Sequence, residues 1–229
     1  MANSAFYGAT YRTTNIFDAV LRVGSNTLQS LALSIGAFRS FSSNDRCAGF
    51  QIEAHEAHSF LVARIAARLV THQESEDAFS MALLHDVGKL VFASRMAQDF
   101  APLLARAAAE GKPLIDIERE TGFTSHAEAG AQLLGAWGLP QPVVDAVAHH
   151  HQPSELHAEP WGPQHAVHVA DVLVHEVGAS RGTIPASAVP PLDRALLAAL
   201  DVEEFVDDWR EIAIEETDAP PDEEEEELP

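Results

Sequence analysis

The chain has 229 residues, 46% of them hydrophobic, enough for one ordinary globular domain with appendages. Lys and Arg number 14 against 35 Asp and Glu, and the resulting net charge of −21 argues against nucleic acid and anionic membranes as general partners, because both need cationic surface. The single Cys47 rules out an intrachain disulfide framework, and neither an apolar run of membrane-span length nor an apolar signal core in MANSAFYGATYR is present, so the sequence predicts a soluble cytoplasmic protein.

Almost every periodic segment predicts helix. TTNIFDAVLRVG places Ile16, Ala19, Val20 and Val23 on one face, with Asn15 as cap and Gly24 as stop, and SNTLQSLALSIGAF follows. AGFQIEAHEAHSFLVARIAARLV is long and amphipathic and carries His55, His58, Val62, Ile65 and Leu69 at helical spacing. ESEDAFSMALLHDVG, AQDFAPLLARAAAEG and PLIDIERETG come next, the last two each closed by a glycine suited to a C-terminal cap. SHAEAGAQLLGAWG opens with Ser125 and Glu128 in capping-box spacing, and LPQPVVDAVAHHH puts Pro142 in a first turn. QHAVHVADVLVHEVG and DRALLAALDVEEFVDDWREIAIEE complete an all-α set, predicted as one domain over 1–216. Residues 217–229 lack apolar periodicity, carry a run of Glu and predict a disordered, solubilising acidic tail.

The stretch MALLHDVGKL poses the chemical question. His85 and Asp86 end an apolar run bound for the core, where an unpartnered charge costs several kcal/mol. A metal, a hydrogen-bond network or an exposed position would each resolve it. Imidazole and carboxylate suit divalent Fe, Mn and Zn, and a carboxylate can bridge two ions. Further candidates recur where helices could converge: His58 mid-helix, His126 at a helix start, His149 to His151 at a helix end, and Asp171 within HVADVLV. Each also has an ordinary structural explanation. His58 could be a hydrogen-bonded core histidine and His126 a first-turn residue. The three-His run could sit at a helix C-terminus, where imidazolium favours the dipole, and Asp171 could pair with His168 or His175.

The ordered set His…His-Asp…His…His-His…Asp resembles the HD superfamily of helical metal-dependent phosphohydrolases. The flanking text NSAFYG, IFDAVLRVGSNTLQSLAL, AHSFLVARIAARL, ALLHDVGKLVF, SHAEAGAQLLGAWGLP and AVAHHHQP is similar to one branch, the HDOD (HD-related output) domains of bacterial signalling proteins. The resemblance runs from the first residues to about Asp171. It implies an HD-like helical bundle with a regulatory role and no known reaction. It also implies a ligand set: His58, His85 and Asp171 on one ion, Asp86 bridging, and His126, His150 and His151 on a second. One or two divalent ions, Fe, Mn, Zn or Mg, are the implied cofactors. His149 falls where the branch varies and is left out. Lys89 resembles the lysine that contacts substrate phosphate in the phosphodiesterase branch. That branch's Gly-Tyr-Pro segment is lacking from HHHQPSELHAEPWGPQ, which disfavours cyclic-di-GMP hydrolysis.

The leading expectation is a signal-transduction module that binds a signalling protein partner or a small phosphorylated ligand. The alternative is a metal-dependent phosphohydrolase or phosphodiesterase, with Asp86 and Lys89 in catalytic roles; a di-iron oxygenase is the third. MANSAFYG resembles an internal segment of the family, so the start is expected to be truncated. The faces of Ile16 to Val23 and Leu28 to Phe38 would then lack packing partners, predicting a marginal, aggregation-prone or homodimeric chain.

Overall fold

The computed structural model describes residues 47–156 and 160–219; the expected helices between Asn15 and Phe38, the truncated start and all of the acidic tail beyond 219 lie outside them. Among the described residues every regular element is helical. Helix α1 (Ile52–Arg68) buries Val62, Ile65 and Ala66, with Glu53 in its first turn and Arg68 in its last, both favourable to the dipole. Helix α2 (Ser75–Leu84) buries every residue from Ala78 to Leu84, so it is the central rod around which others pack. The chain turns at His85 and Asp86, where the sequence also ended this helix, and restarts as α3 (Val87–Arg95), which the periodicity did not single out.

Helices α4 (Ala97–Glu110) and α5 (Leu114–Thr121) end at Gly111 and Gly122, which take the left-handed conformation at φ 60° and 69°. Helix α6 (His126–Ala136) carries the expected capping box of Ser125 and Glu128, and α7 (Gln141–His149) has proline in its first turn. Helix α8 (Pro163–Ser180) precedes α9 (Arg194–Ala199) and α10 (Val206–Asp218). The sequence read 193–216 as one periodic stretch; instead the backbone breaks at Asp201, which sits at φ 57°, where Asp pays less than most residues. Helix α10 also runs on to Asp218, past the expected boundary of the tail.

Two apolar regions result. One joins α1, α2, α8 and α10 through Ile65, Phe79, Leu173 and Trp209, extended by Trp161, which stacks on Trp209 at 4.6 Å and donates its indole N–H to the Leu69 carbonyl. The other joins the end of α2 to α3, α6 and α7 through Leu84, Leu90, Leu134 and Val147, flanked by Phe92 and Phe100 beneath α4. Backbone approach fixes α3 on α6: a Cβ at Gly88 would stand 1.9 Å from the His126 carbonyl oxygen and 2.8 Å from the Gly130 nitrogen. The start of α3, with Asp86 as its N-cap residue, is thereby pressed against the start of α6, with His126. No helix among the described residues is long and apolar enough to cross a membrane.

Candidate metal centre

Asp86 is buried, with 1% of its side chain exposed, and its two oxygens face different histidines. Oδ2 lies 3.3 Å from His85 Nε2 and 3.7 Å from His58 Nε2. Oδ1 lies 3.2 Å from His126 Nε2 and 3.7 Å from His150 Nε2. Asp171, from α8, turns its Oδ1 toward His58 Nε2 at 3.2 Å and His85 Nε2 at 3.7 Å. His151 Nε2 stands 2.9 Å from His126 Nε2. The fold thus brings together His58, His85, Asp86, His126, His150, His151 and Asp171 from α1, the α2–α3 turn, α6, the end of α7 and α8.

The backbone orients the rings. His85 Nδ1–H donates to the Ala82 carbonyl at 2.6 Å and His150 Nδ1–H to the Val147 carbonyl at 2.7 Å, so each Nε2 points at the carboxylates. Both bonds run back three residues, because each histidine is the C-cap residue of its helix, where the last carbonyls are open to side-chain donors. His168 does not reach Asp171; it donates Nδ1–H to the His150 carbonyl and accepts from the Asp193 amide, bracing the turn that holds His150. His149 lies outside, 3.4 Å from the exposed Glu155.

Two participants were not among the expected ligands. Glu118 of α5 is fully buried and accepts from both the backbone N–H and the Nδ1–H of His126, at 3.2 and 2.8 Å. Its signal was an acid on the apolar side of an amphipathic helix, next to Ile115 and Ile117. His175 donates Nδ1–H to the Asp171 backbone carbonyl at 2.8 Å and stands 3.2 Å from its carboxylate, the pairing that the spacing of four on a helix had left open.

Charge in this cluster is concentrated and desolvated. Burial works against ionisation of Asp86, yet His85 and Lys89 outweigh it and hold its carboxyl well below the usual range; His175 and His58 do the same for Asp171. Burial also disfavours a charged His85, but the two carboxylates prevail and push it up to about 10. Burial, then the neighbouring histidines, drive His150 down to about 3 and His151 well below its ordinary value, so both keep free lone pairs. Lys89 Nζ donates to Asp86 Oδ2 at 2.5 Å, and the charges of Asp86 and Asp171 overcome burial to raise its ammonium.

The donor set suits divalent cations. His58 Nε2, His85 Nε2, His150 Nε2, Asp86 Oδ1 and Asp171 Oδ1 are buried and aimed at one place; charge attracts several of them to one another, but none makes a well-aligned hydrogen bond. Donors about 2.0–2.2 Å from a shared ion stand about 2.8–3.6 Å apart at octahedral or tetrahedral angles. The separations here run from 2.9 Å for His126–His151 to 3.7 Å for His150–Asp86, within about 0.1 Å of that spacing. The residues form overlapping groups: His58, His85 and Asp86; His58, Asp171 and His175; His126, His150 and His151; and His85, His150 and Asp171.

Known proteins share this arrangement of helices. A protein from Treponema pallidum (strain Nichols) is 31% identical over 152 residues, which is 66% of this chain and 29% of that protein's length. An HDOD domain protein with unknown function from Geobacter sulfurreducens superposes with a TM-score of 0.65 at 22% identity, covering 95% of this chain and 78% of its own. A Marinobacter aquaeolei VT8 protein, named provisionally for signal transduction, gives 0.66 at 24% identity over 94% of this chain and 48% of its own. A Shewanella amazonensis SB2B protein, named provisionally as a metal-dependent phosphohydrolase, gives 0.53 at 19% identity over 94% and 77%. At these identities the structural likenesses establish the fold. Residues 1–153 match the family model of the HDOD domain, and the chain belongs to that family.

Proposed function

We propose that this HDOD chain is a bacterial signal-transduction module built around an HD-type centre for two divalent cations. The observation that carries the reading is the division of Asp86, with one oxygen facing His58 and His85 and the other facing His126 and His150. His58, His85 and Asp171 would hold one ion and His126, His150 and His151 the other, with Asp86 between them. The signalling name of the Marinobacter relative supports the regulatory role, in which the centre orders five segments and a signalling protein or small phosphorylated ligand reads the result. The test is elemental analysis of protein purified without chelator. Fe, Mn or Zn that co-purifies with the wild type and falls in Asp86→Ala supports the centre; equal, trace metal in both proteins overturns it.

A second reading, a metal-dependent phosphohydrolase, is favoured by the position of Lys89. Its ammonium touches Asp86 and also lines a cavity of about 390 Å³ that opens beside His126 and His151. A cation pair bound here would supply Lewis acidity and lower the pKa of coordinated water. The chain's own residues would do the rest. Lys89 would draw the charge of a phosphoryl oxygen, while Glu118 keeps the His126 ring fixed from behind. Phosphoester turnover by the wild type that disappears in Lys89→Ala, with metal content intact, would establish the enzyme. Unchanged turnover in that variant removes Lys89 from the mechanism.

A further inference from the structure

Lysine is scarce in this chain: of its 14 cationic residues all but Lys89 and Lys112 are arginine. These two lie 23 positions apart, on α3 and on the turn between α4 and α5, yet both line the same cavity. At its buried end, Lys89 stands with His126, His151 and His175 of the centre. At its outer end, Lys112 is 41% exposed and shares its ammonium with Glu110 and Glu120 at 2.9 and 2.8 Å. Exposed pairs of that kind are worth little, so Lys112 can exchange them for an entering anion at small cost. A flexible ammonium suits this task, since it acts as a mobile point charge toward phosphate.

The walls between the two lysines are apolar. Leu114 and Ile115 come from α5, and Ile184, Pro185, Ala188 and Pro190 from the loop after α8. That loop is packed onto the lysine-bearing turn: a Cβ on Gly111, already at φ +60°, would meet Ser187 Oγ at 2.9 Å and Pro185 Cγ at 3.4 Å. The apolar wall is therefore part of the folded body. A volume of about 390 Å³ lies at the low end of ligand pockets, roughly 300–1,000 Å³, and suits a compact ligand.

We infer that this cavity binds a compact phosphomonoester with an apolar body, its phosphate at the Lys89 end, its body along the wall of Leu114 and Ile184, and Lys112 at the mouth drawing the anion in. The inference rests on the two-cation reading and names the ligand class of that same site. It is tested on the full chain loaded with Mn²⁺, using methyl phosphate and phenyl phosphate as calorimetric probes. Phenyl phosphate should bind roughly tenfold tighter, the gain expected from covering one ring with apolar wall. Ile184→Ser should reduce that ratio toward unity, and Lys112→Gln should weaken both esters alike, by roughly threefold, because a cation at the mouth attracts the anion without touching it. Acylation of the wild type, followed by peptide mass spectrometry, supplies a readout that needs no variant: phenyl phosphate should slow the acylation of Lys112 at the mouth. Equal affinities for the two esters, with Lys112 acylated as fast as before, would overturn the inference. Elemental analysis of the same samples separates the two ideas. Metal-loaded protein without the aryl preference or lysine protection sinks the pocket and keeps the centre; metal-free protein that retains both keeps the pocket and sinks the centre.

Discussion

At the scale of single residues, Asp86 and Glu118 have separable roles. Asp86 is the shared carboxylate, and a cation that binds only the folded chain stabilises it by mass action, by about 2.7 kcal/mol at a hundred times Kd. Chelation should therefore lower the wild-type Tm by about 5–10 °C, since each kcal/mol moves a domain of this size by about 2–4 °C. Asp86→Ala should hardly respond to chelator, and an equal response of the two proteins would leave Asp86 a hydrogen-bonding role alone. Glu118 accepts from the far side of the His126 ring at 2.8 Å and from the His126 backbone N–H at 3.2 Å. Glu118→Gln fills the same space but accepts more weakly, so metal affinity measured by chelator competition should fall about 10-fold, toward the low end for supporting partners of metal-bound histidine. Unchanged affinity would make Glu118 a partner of the backbone amide only. The seven expected positions were legible through their order, His…His-Asp…His…His-His…Asp, which resembles the HD pattern; each residue singly had an ordinary structural explanation. Glu118 was harder to find: its surroundings, Ile115 and Ile117, are ordinary core, and only the folded chain shows what faces it.

Among elements, the α3–α6 crossing sets the geometry of the centre. Gly88→Ala would drive a methyl group to 1.9 Å from the His126 carbonyl, a backbone atom that cannot swing aside. Separating the helices should cost about 1–3 kcal/mol or more and move Asp86 away from His126. The measurement is paired, metal stoichiometry together with Tm; a variant with wild-type values for both would show that the crossing yields freely. Trp209→Ala is a control remote from the centre. It removes a 7%-exposed ring stacked on Trp161 and should cost about 3–5 kcal/mol, read from denaturant unfolding, while a refolded variant keeps its metal. Loss of metal from a folded Trp209→Ala would mean that α10 reaches the centre through α1. The capping box at Ser125 and the glycine stops at Gly111 and Gly122 were visible in the sequence because caps are local chemistry. The break at Asp201 was not, because an apolar period continues across it, while the chain leaves α9 through a left-handed residue and restarts after a short 3-10 turn at Glu203–Phe205.

For the whole molecule, charge governs approach. A chain with a net charge of −21 concentrates divalent cations near its surface and repels free phosphate. Stopped-flow uptake of Mn²⁺ should therefore slow as salt rises from about 10 mM to 150 mM, where the screening length falls from about 30 Å to 8 Å. Uptake rates independent of salt would mean that a conformational step, rather than encounter, limits binding.

The sequence by itself determined the all-α class, most helix termini, and which side chains had chemistry to offer, because periodicity, caps and ligand types are written residue by residue. Its family likeness supplied an order for those side chains. Tertiary structure decided what no spacing could: that Asp86 turns its two oxygens toward two sets of histidines, that Glu118 stands behind His126, and that Lys89 and Lys112 line one cavity. Those relations join segments up to 113 positions apart in sequence, as between His58 and Asp171, and exist only where packed helices bring them together. The physical reason is that a helix fixes the direction of a side chain relative to its own axis, while packing fixes the axes relative to one another.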